Sequence, residues 1–153
     1  MTRVLFVCLG NICRSPAAHG SFLKLVHQAG LGEQIDIDSA GTGSWHIGHP
    51  PDERMTSAAQ QRGIDLTPLR ARQVAAEDFD QYSHIFAMDK RNLRDMQRLA
   101  KGRAFQPQLY LDLIFPGEGR EVPDPYYGGP QGFEEVLDLV DTANRELLRR
   151  LTD

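Results

Sequence analysis

Val4-Leu5-Phe6-Val7-Cys8-Leu9-Gly10-Asn11-Ile12-Cys13-Arg14-Ser15-Pro16 is the stretch on which the reading of this chain turns. An apolar, β-prone run ends at a cysteine, bends through a loop with one glycine, and reaches an arginine, a serine and a proline where a helix begins. Ser15-Pro16 is a helix-start signal, because serine caps free N–H groups and proline lacks the N–H that the first helical turn would leave unbonded. The loop from Leu9 to Ser15 can therefore turn successive backbone N–H groups inward at a helix N-terminus, where peptide dipoles also favour negative charge. Gly10 permits the curvature, and Arg14 supplies a planar fork that suits two oxygens of a phosphate or sulfate. Cys8 stands at the mouth of this concavity, where the groups that hold an oxyanion also stabilise a thiolate. A cysteine ending an apolar strand is more often a small buried hydrophobe. The arginine six residues on and the adjacent helix start favour a nucleophile in an anion cradle.

The remaining sequence fits one domain, residues 1–153, long enough to bury a full core without staples. A formal net charge of −4 argues against nucleic acid or an acidic membrane as partner, so any attraction for phosphate must be local. The apolar run after Met1-Thr2-Arg3 is too short for a signal peptide or a membrane span. Two cysteines five positions apart make neither a disulfide framework nor a CxxC motif. Both observations lead to the expectation of a reducing, cytoplasmic setting.

Apolar spacing predicts a helix from Pro16 to Ala29, stopped by Gly30, and alternation predicts a strand over Ile35–Ala40. A short helix is expected over Asp52–Arg62, and strands over His84–Met88 and Gln108–Ile114. Between the last two strands, Asp89 would cap a helix with Leu93, Met96, Leu99 and Ala100 on one side. A long stripe predicts a final helix over residues 130–151. Strands separated by helices argue for a parallel sheet covered on both faces, with ligands beyond the carboxyl ends of the strands. Cys8 occupies that end of the first strand.

Two further loops carry candidate chemistry. Trp45, the only tryptophan, lies in a polar Gly/Ser/His/Pro loop and is a candidate wall for a flat ring; the neighbouring His46 and His49 read as surface, because Pro50 and Pro51 rule out a two-ligand helical face. In Val122-Pro123-Asp124-Pro125-Tyr126-Tyr127, two prolines fix the backbone around a carboxyl group. An Asp-Pro turn is common, but a thiolate displacing an aryloxide needs an acid for the leaving oxygen.

Cys8-Leu9-Gly10-Asn11-Ile12-Cys13-Arg14-Ser15 resembles the phosphate-binding signature of the low-molecular-weight protein tyrosine phosphatases. There a cysteine, five residues and an arginine precede serine or threonine. Arg70-Ala71-Arg72-Gln73 with Glu77-Asp78-Phe79, and Asp124-Pro125-Tyr126-Tyr127, extend the resemblance over nearly the whole chain. It implies an α/β fold: a three-layer α/β/α sandwich with a four-stranded parallel sheet of order 2-1-3-4 and the phosphate loop after strand 1. It further implies phosphotyrosine hydrolysis through a phosphocysteine on Cys8, with Arg14 binding the oxyanion and Asp124 as general acid and base.

On the same resemblance, Leu9, Gly10, Asn11, Ile12, Cys13 and Ser15 shape the phosphate loop, a hydrogen bond between Asn11 and Ser39 supports it, and the Ser15 hydroxyl would hydrogen-bond the Cys8 thiolate and help sulfur leave. Trp45, Tyr126 and Tyr127 form the substrate rim, and no cofactor or metal is needed. Leu69 stands where many members carry a histidine in the network under the loop. Ile12 stands where relatives resembling arginine-phosphate phosphatases carry threonine. The implied partners are a tyrosine-phosphorylated protein and the ligands phosphate, sulfate or vanadate. A tyrosine kinase partner, modification of Tyr126 or Tyr127, and a protective Cys8–Cys13 disulfide are left open. Two rivals remain: a thiol-dependent arsenate reductase, which needs more cysteines than the two present, and a non-catalytic phosphate-binding module, which has no use for Asp124.

Overall fold

The computed structural model describes residues 1–126 and 128–153. In chain order the elements are β1 (Thr2–Cys8), α1 (Arg14–Gln28), β2 (Ile35–Gly41), α2 (Glu53–Gln61), α3 (Asp78–Gln81), β3 (His84–Ala87), α4 (Lys90–Ala100), β4 (Gln108–Leu109), a 3-10 turn (Tyr110–Leu113) and α5 (Pro130–Thr152). The four strands are parallel and ordered β2-β1-β3-β4, as expected.

β1 lies at the centre of the sheet because it is apolar on both faces, as a strand covered from two sides must be. Val4, Phe6 and Cys8 face a core built with α1, α2 and α5, whereas Leu5 and Val7 face a smaller core with α3 and α4. Phe6 is the hub of the larger core, with its ring 6.0 Å from Phe22, 5.9 Å from Phe86 and 5.5 Å from Tyr110. Aromatic pairs at these separations add to the area they bury. The register Cys8 opposite Gly41 and Val7 opposite Ala87 brings the ends of three strands to one edge. The loops that follow them share that edge.

Three expectations need correction. The fourth strand stops at Leu109 instead of running to Ile114. β3 ends at Ala87 and offers no further ladder, and the chain turns so that Tyr110 enters the core, its hydroxyl hydrogen-bonded to Asn144 and, at 3.3 Å, to the Val140 carbonyl of α5. α4 buries Asn92, Met96 and Ala100, so Leu99 falls on the outer flank, 38% exposed. α1 starts at Arg14, ahead of the expected Pro16, with Cys13 in the cap position and no side-chain cap.

Candidate active site

The loop between β1 and α1 is held from outside by its own carbonyl groups. The N–H groups of Thr42 and Gly43 donate to the carbonyls of Cys8 and Leu9, each at 2.9 Å; Asp52 donates to Ile12 at 2.8 Å and Ala17 to Cys13 at 3.1 Å. With the carbonyls turned outward, the N–H groups turn the other way. Among the described residues no protein acceptor takes those of Gly10, Ile12 and Cys13, and that of Asn11 points at Cys8 Sγ at 3.3 Å. A row of unpaired donors of this kind facing a cleft is a nest for an anion.

Asn11 sets the curvature. Its φ of 57° makes it the one non-glycine residue in left-handed backbone among those described, a conformation that asparagine tolerates better than most. The buried side chain donates to Ser15 Oγ at 2.7 Å and accepts from the Arg72 N–H at 3.1 Å. Gly41 of β2 lies directly beneath: a Cβ there would stand 2.8 Å from the Leu9 carbonyl oxygen and 3.2 Å from the Asn11 nitrogen. The loop rests where a side chain is missing.

Ser15 is not the helix cap that its place before proline suggests. Its oxygen lies 3.0 Å from Cys8 Sγ, and its single proton can go to the sulfur or to the Ala40 carbonyl at 3.3 Å. With Asn11 donating to the same oxygen, a thiolate at Cys8 draws the proton to sulfur. Cys13 is chemically different: burial, reinforced by Asp52, Cys8 and Asp124, pushes its thiol well above the ordinary value.

Arg14 is buried, and burial alone would weaken its charge, but Cys8, Asp89 and Asp124 outweigh that and raise its pKa. Nη1 donates to Asp89 Oδ2 at 2.8 Å and to the Val122 carbonyl at 3.1 Å, while Nη2 stands 3.8 Å from Asp124 Oδ2. Asp89 also caps α4 as expected, accepting from the Asn92 N–H at 2.7 Å. Asp124 itself is half exposed, and its Oδ1 accepts the Tyr126 N–H at 3.1 Å. Cys8, Arg14 and Asp124 line one cleft of about 330 Å³, together with Leu9, Gly10, Ile12 and Cys13 of the loop and with Trp45, His46 and Tyr126. Trp45 is 67% exposed, its ring lying against the bare backbone of Gly43.

The structure thus brings together Cys8, Arg14, Asp124, Trp45, Tyr126 and the loop; Tyr127 lies outside the described residues. The expected Asn11–Ser39 bond does not occur among them. Ser39 is buried on β2, where its hydroxyl pairs with Nδ1 of His19 at 2.9 Å. Asn11 reaches Ser15 and Arg72 instead. Leu69 packs half-buried against the larger core, adding no polar group to the network. Sequence reasoning passed over His19, which carried no signal beyond a histidine on a buried helix face. It also missed that Asp89 and Val122 hold Arg14, although a capping aspartate at the end of β3 already placed Asp89 at the ligand edge of the sheet.

Known proteins show the same architecture. A low molecular weight phosphotyrosine protein phosphatase of Schizosaccharomyces pombe is 45% identical over 148 residues, covering 95% of this chain and 94% of that protein. The crystal structure of a protein tyrosine phosphatase from Entamoeba histolytica, with Hepes in its active site, superposes with a TM-score of 0.89 at 36% identity, covering 99% of this chain and 97% of that one. A Drosophila arginine phosphatase superposes at 0.92 with 32% identity, covering 100% and 99%. Residues 3–153 match the family profile described as low molecular weight phosphotyrosine protein phosphatase, and the chain belongs to that family.

Proposed function

We propose that this chain hydrolyses phosphotyrosine in proteins, and small aryl phosphates, with Cys8 as nucleophile, Arg14 as oxyanion binder and Asp124 as general acid and base. The observation that carries the reading is the convergence on one sulfur of a hydroxyl, a backbone N–H, a buried guanidinium and, across the cleft, a carboxyl group. The Cys8 thiolate attacks phosphorus in line, and the S–P bond forms as the P–O bond to the phenol breaks. Protonated Asp124 gives its proton to the departing oxygen. Arg14 and the loop N–H groups hold the non-bridging oxygens throughout. Water, deprotonated by Asp124, then attacks the phosphocysteine; Ser15 stabilises the sulfur as it leaves, and inorganic phosphate is released.

Trp45 and Tyr126 beside the cleft support an aryl substrate, and Ile12 supplies an apolar wall. The arginine phosphatase likeness makes phosphoarginine the comparison to run. Phosphate, sulfate and vanadate are the small ligands this cradle fits. Among the described residues no helix is long and apolar enough to cross a membrane, and two free thiols suit a reducing cytoplasm.

The test is Cys8→Ser. Turnover of p-nitrophenyl phosphate and of a phosphotyrosyl peptide should be lost while phosphate binding persists. Retained turnover would reject the nucleophile, and faster release of phosphate from phosphoarginine than from the peptide by the wild type would reject the substrate class.

A further inference from the structure

Arg54, the second residue of α2, connects the loop that carries Asp124 to the phosphate loop. Its Nη2 donates to the Tyr126 carbonyl at 2.9 Å and to Asp52 Oδ2 at 3.0 Å, and its Nε reaches Asp52 Oδ1 at 3.3 Å. Asp52 is a firm anchor. Its carboxylate caps α2 by accepting the N–H groups of Arg54 and Met55, and its own N–H donates to the Ile12 carbonyl at 2.8 Å. The Arg54 guanidinium lies over the Phe133 ring at 4.8 Å and the Tyr126 ring at 5.5 Å, contacts that fix its plane.

The other side of the Tyr126 peptide closes the chain of contacts. Its N–H donates to Asp124 Oδ1, so one residue offers its N–H to the carboxyl group and its carbonyl to Arg54. Asp124 needs such a support. Among the described residues its one ion-pair partner is Arg14 at 3.8 Å, too far for a hydrogen bond, and the sequence beyond it runs through Gly128 and Gly129 before α5 begins at Pro130.

We propose that Arg54 is a positioning residue for Asp124: through the Tyr126 backbone it registers the carboxyl group against the phosphate loop. The proposal rests on the assignment of Asp124 as general acid. A proton donor displaced by about 1 Å loses much of its effect, and only substrates whose leaving group needs the proton feel the loss. The Arg54 side chain donates to Asp52 and Tyr126 and not to Cys8, Arg14 or the loop, and the Asp52 N–H that holds Ile12 is main chain, so anion binding should change little without it.

The experiment measures kcat/KM for phenyl phosphate and for p-nitrophenyl phosphate, whose phenolate leaves readily unprotonated, together with inhibition by vanadate. In Arg54→Ala the phenyl phosphate value should fall about tenfold more than the p-nitrophenyl phosphate value, with the vanadate constant unchanged within about twofold. Arg54→Lys, which keeps one donor and the charge, should lie between wild type and Arg54→Ala. In an Asp124→Ala background, Arg54→Ala should add nothing to the ratio of the two substrates, because the group it positions is gone. Equal losses on both substrates, a weakened vanadate constant, no loss at all, or a full additional loss in the Asp124→Ala background would each overturn the proposal. If Asp124→Ala alone leaves phenyl phosphate turnover intact, the general-acid assignment is what fails.

Discussion

Replacing Asn11 by alanine and by glycine separates the two things that this residue does. Its side chain makes two buried hydrogen bonds, at 2.7 Å to Ser15 Oγ and at 3.1 Å from the Arg72 N–H. Each is worth about 0.5–1.5 kcal/mol, so the loss of both amounts to about 1–3 kcal/mol. The backbone at φ 57° imposes a second cost on any residue with a Cβ, about 1–2 kcal/mol for alanine. Glycine escapes that cost but returns up to about 1 kcal/mol through the greater freedom of its unfolded chain. Asn11→Ala should therefore lose about 2–5 kcal/mol and Asn11→Gly about 1 kcal/mol less than that. Urea unfolding of wild type and both variants, with slopes unchanged, measures the difference. Both should also turn over aryl phosphate more slowly, because Ser15 loses the partner that orients it towards sulfur. A glycine variant less stable than the alanine one, or both within about 0.5 kcal/mol of wild type, would refute this account of the loop.

Three other outcomes are expected. Gly41→Ala should weaken vanadate inhibition and slow turnover, because the new methyl meets the Leu9 and Gly10 backbone and not a yielding side chain; unchanged inhibition would show that the loop has slack. Asp89→Asn should cost about 1–3 kcal/mol, since it removes a charge facing a buried guanidinium, and vanadate should raise its melting temperature more than that of wild type by restoring the missing negative charge. Burial holds the His19 imidazole below its ordinary 6.5, against the opposing pull of Asp38 and Asp36. The unfolded chain then takes up a proton that the folded chain resists, so His19 contributes stability above about pH 6.5 that is lost as pH falls below it. His84, also held low by burial, acts in the same direction, so the measurement is a difference: urea midpoints at about pH 7.5 and about pH 5 should lie closer together in His19→Gln than in wild type.

The catalytic loop was legible because everything that makes it is local. Cysteine, glycine, arginine, serine and proline occupy one contiguous stretch, and their spacing alone implies a nest at a helix start. The groups that hold it were not legible, because Arg72, Asp89 and Val122 arrive from distant segments that only the strand order brings together. Ser15 was half legible: a serine before a proline looks like a cap whatever its oxygen faces, which the structure corrects, while the expected contact of its hydroxyl with the Cys8 sulfur is there at 3.0 Å. The fourth strand was overextended because Leu109, Leu111 and Leu113 alternate correctly. Alternation reports which side is buried and not whether a neighbouring strand is still there to pair with.

The outward anchoring of the loop carbonyls has a consequence for inhibitor chemistry. A warhead that mimics the phosphoryl group meets a floor whose shape is dictated by amides of Thr42, Gly43 and Asp52 on the far side, so enlarging the head has little room to be accommodated. Such a floor is built largely from main chain, and main chain offers a medicinal chemist no handle for discrimination. Selectivity for this protein has to be sought one layer out, in the aromatic and imidazole groups of Trp45, His46 and Tyr126, by scaffolds that treat the anion as a fixed post and vary only what leans against the wall.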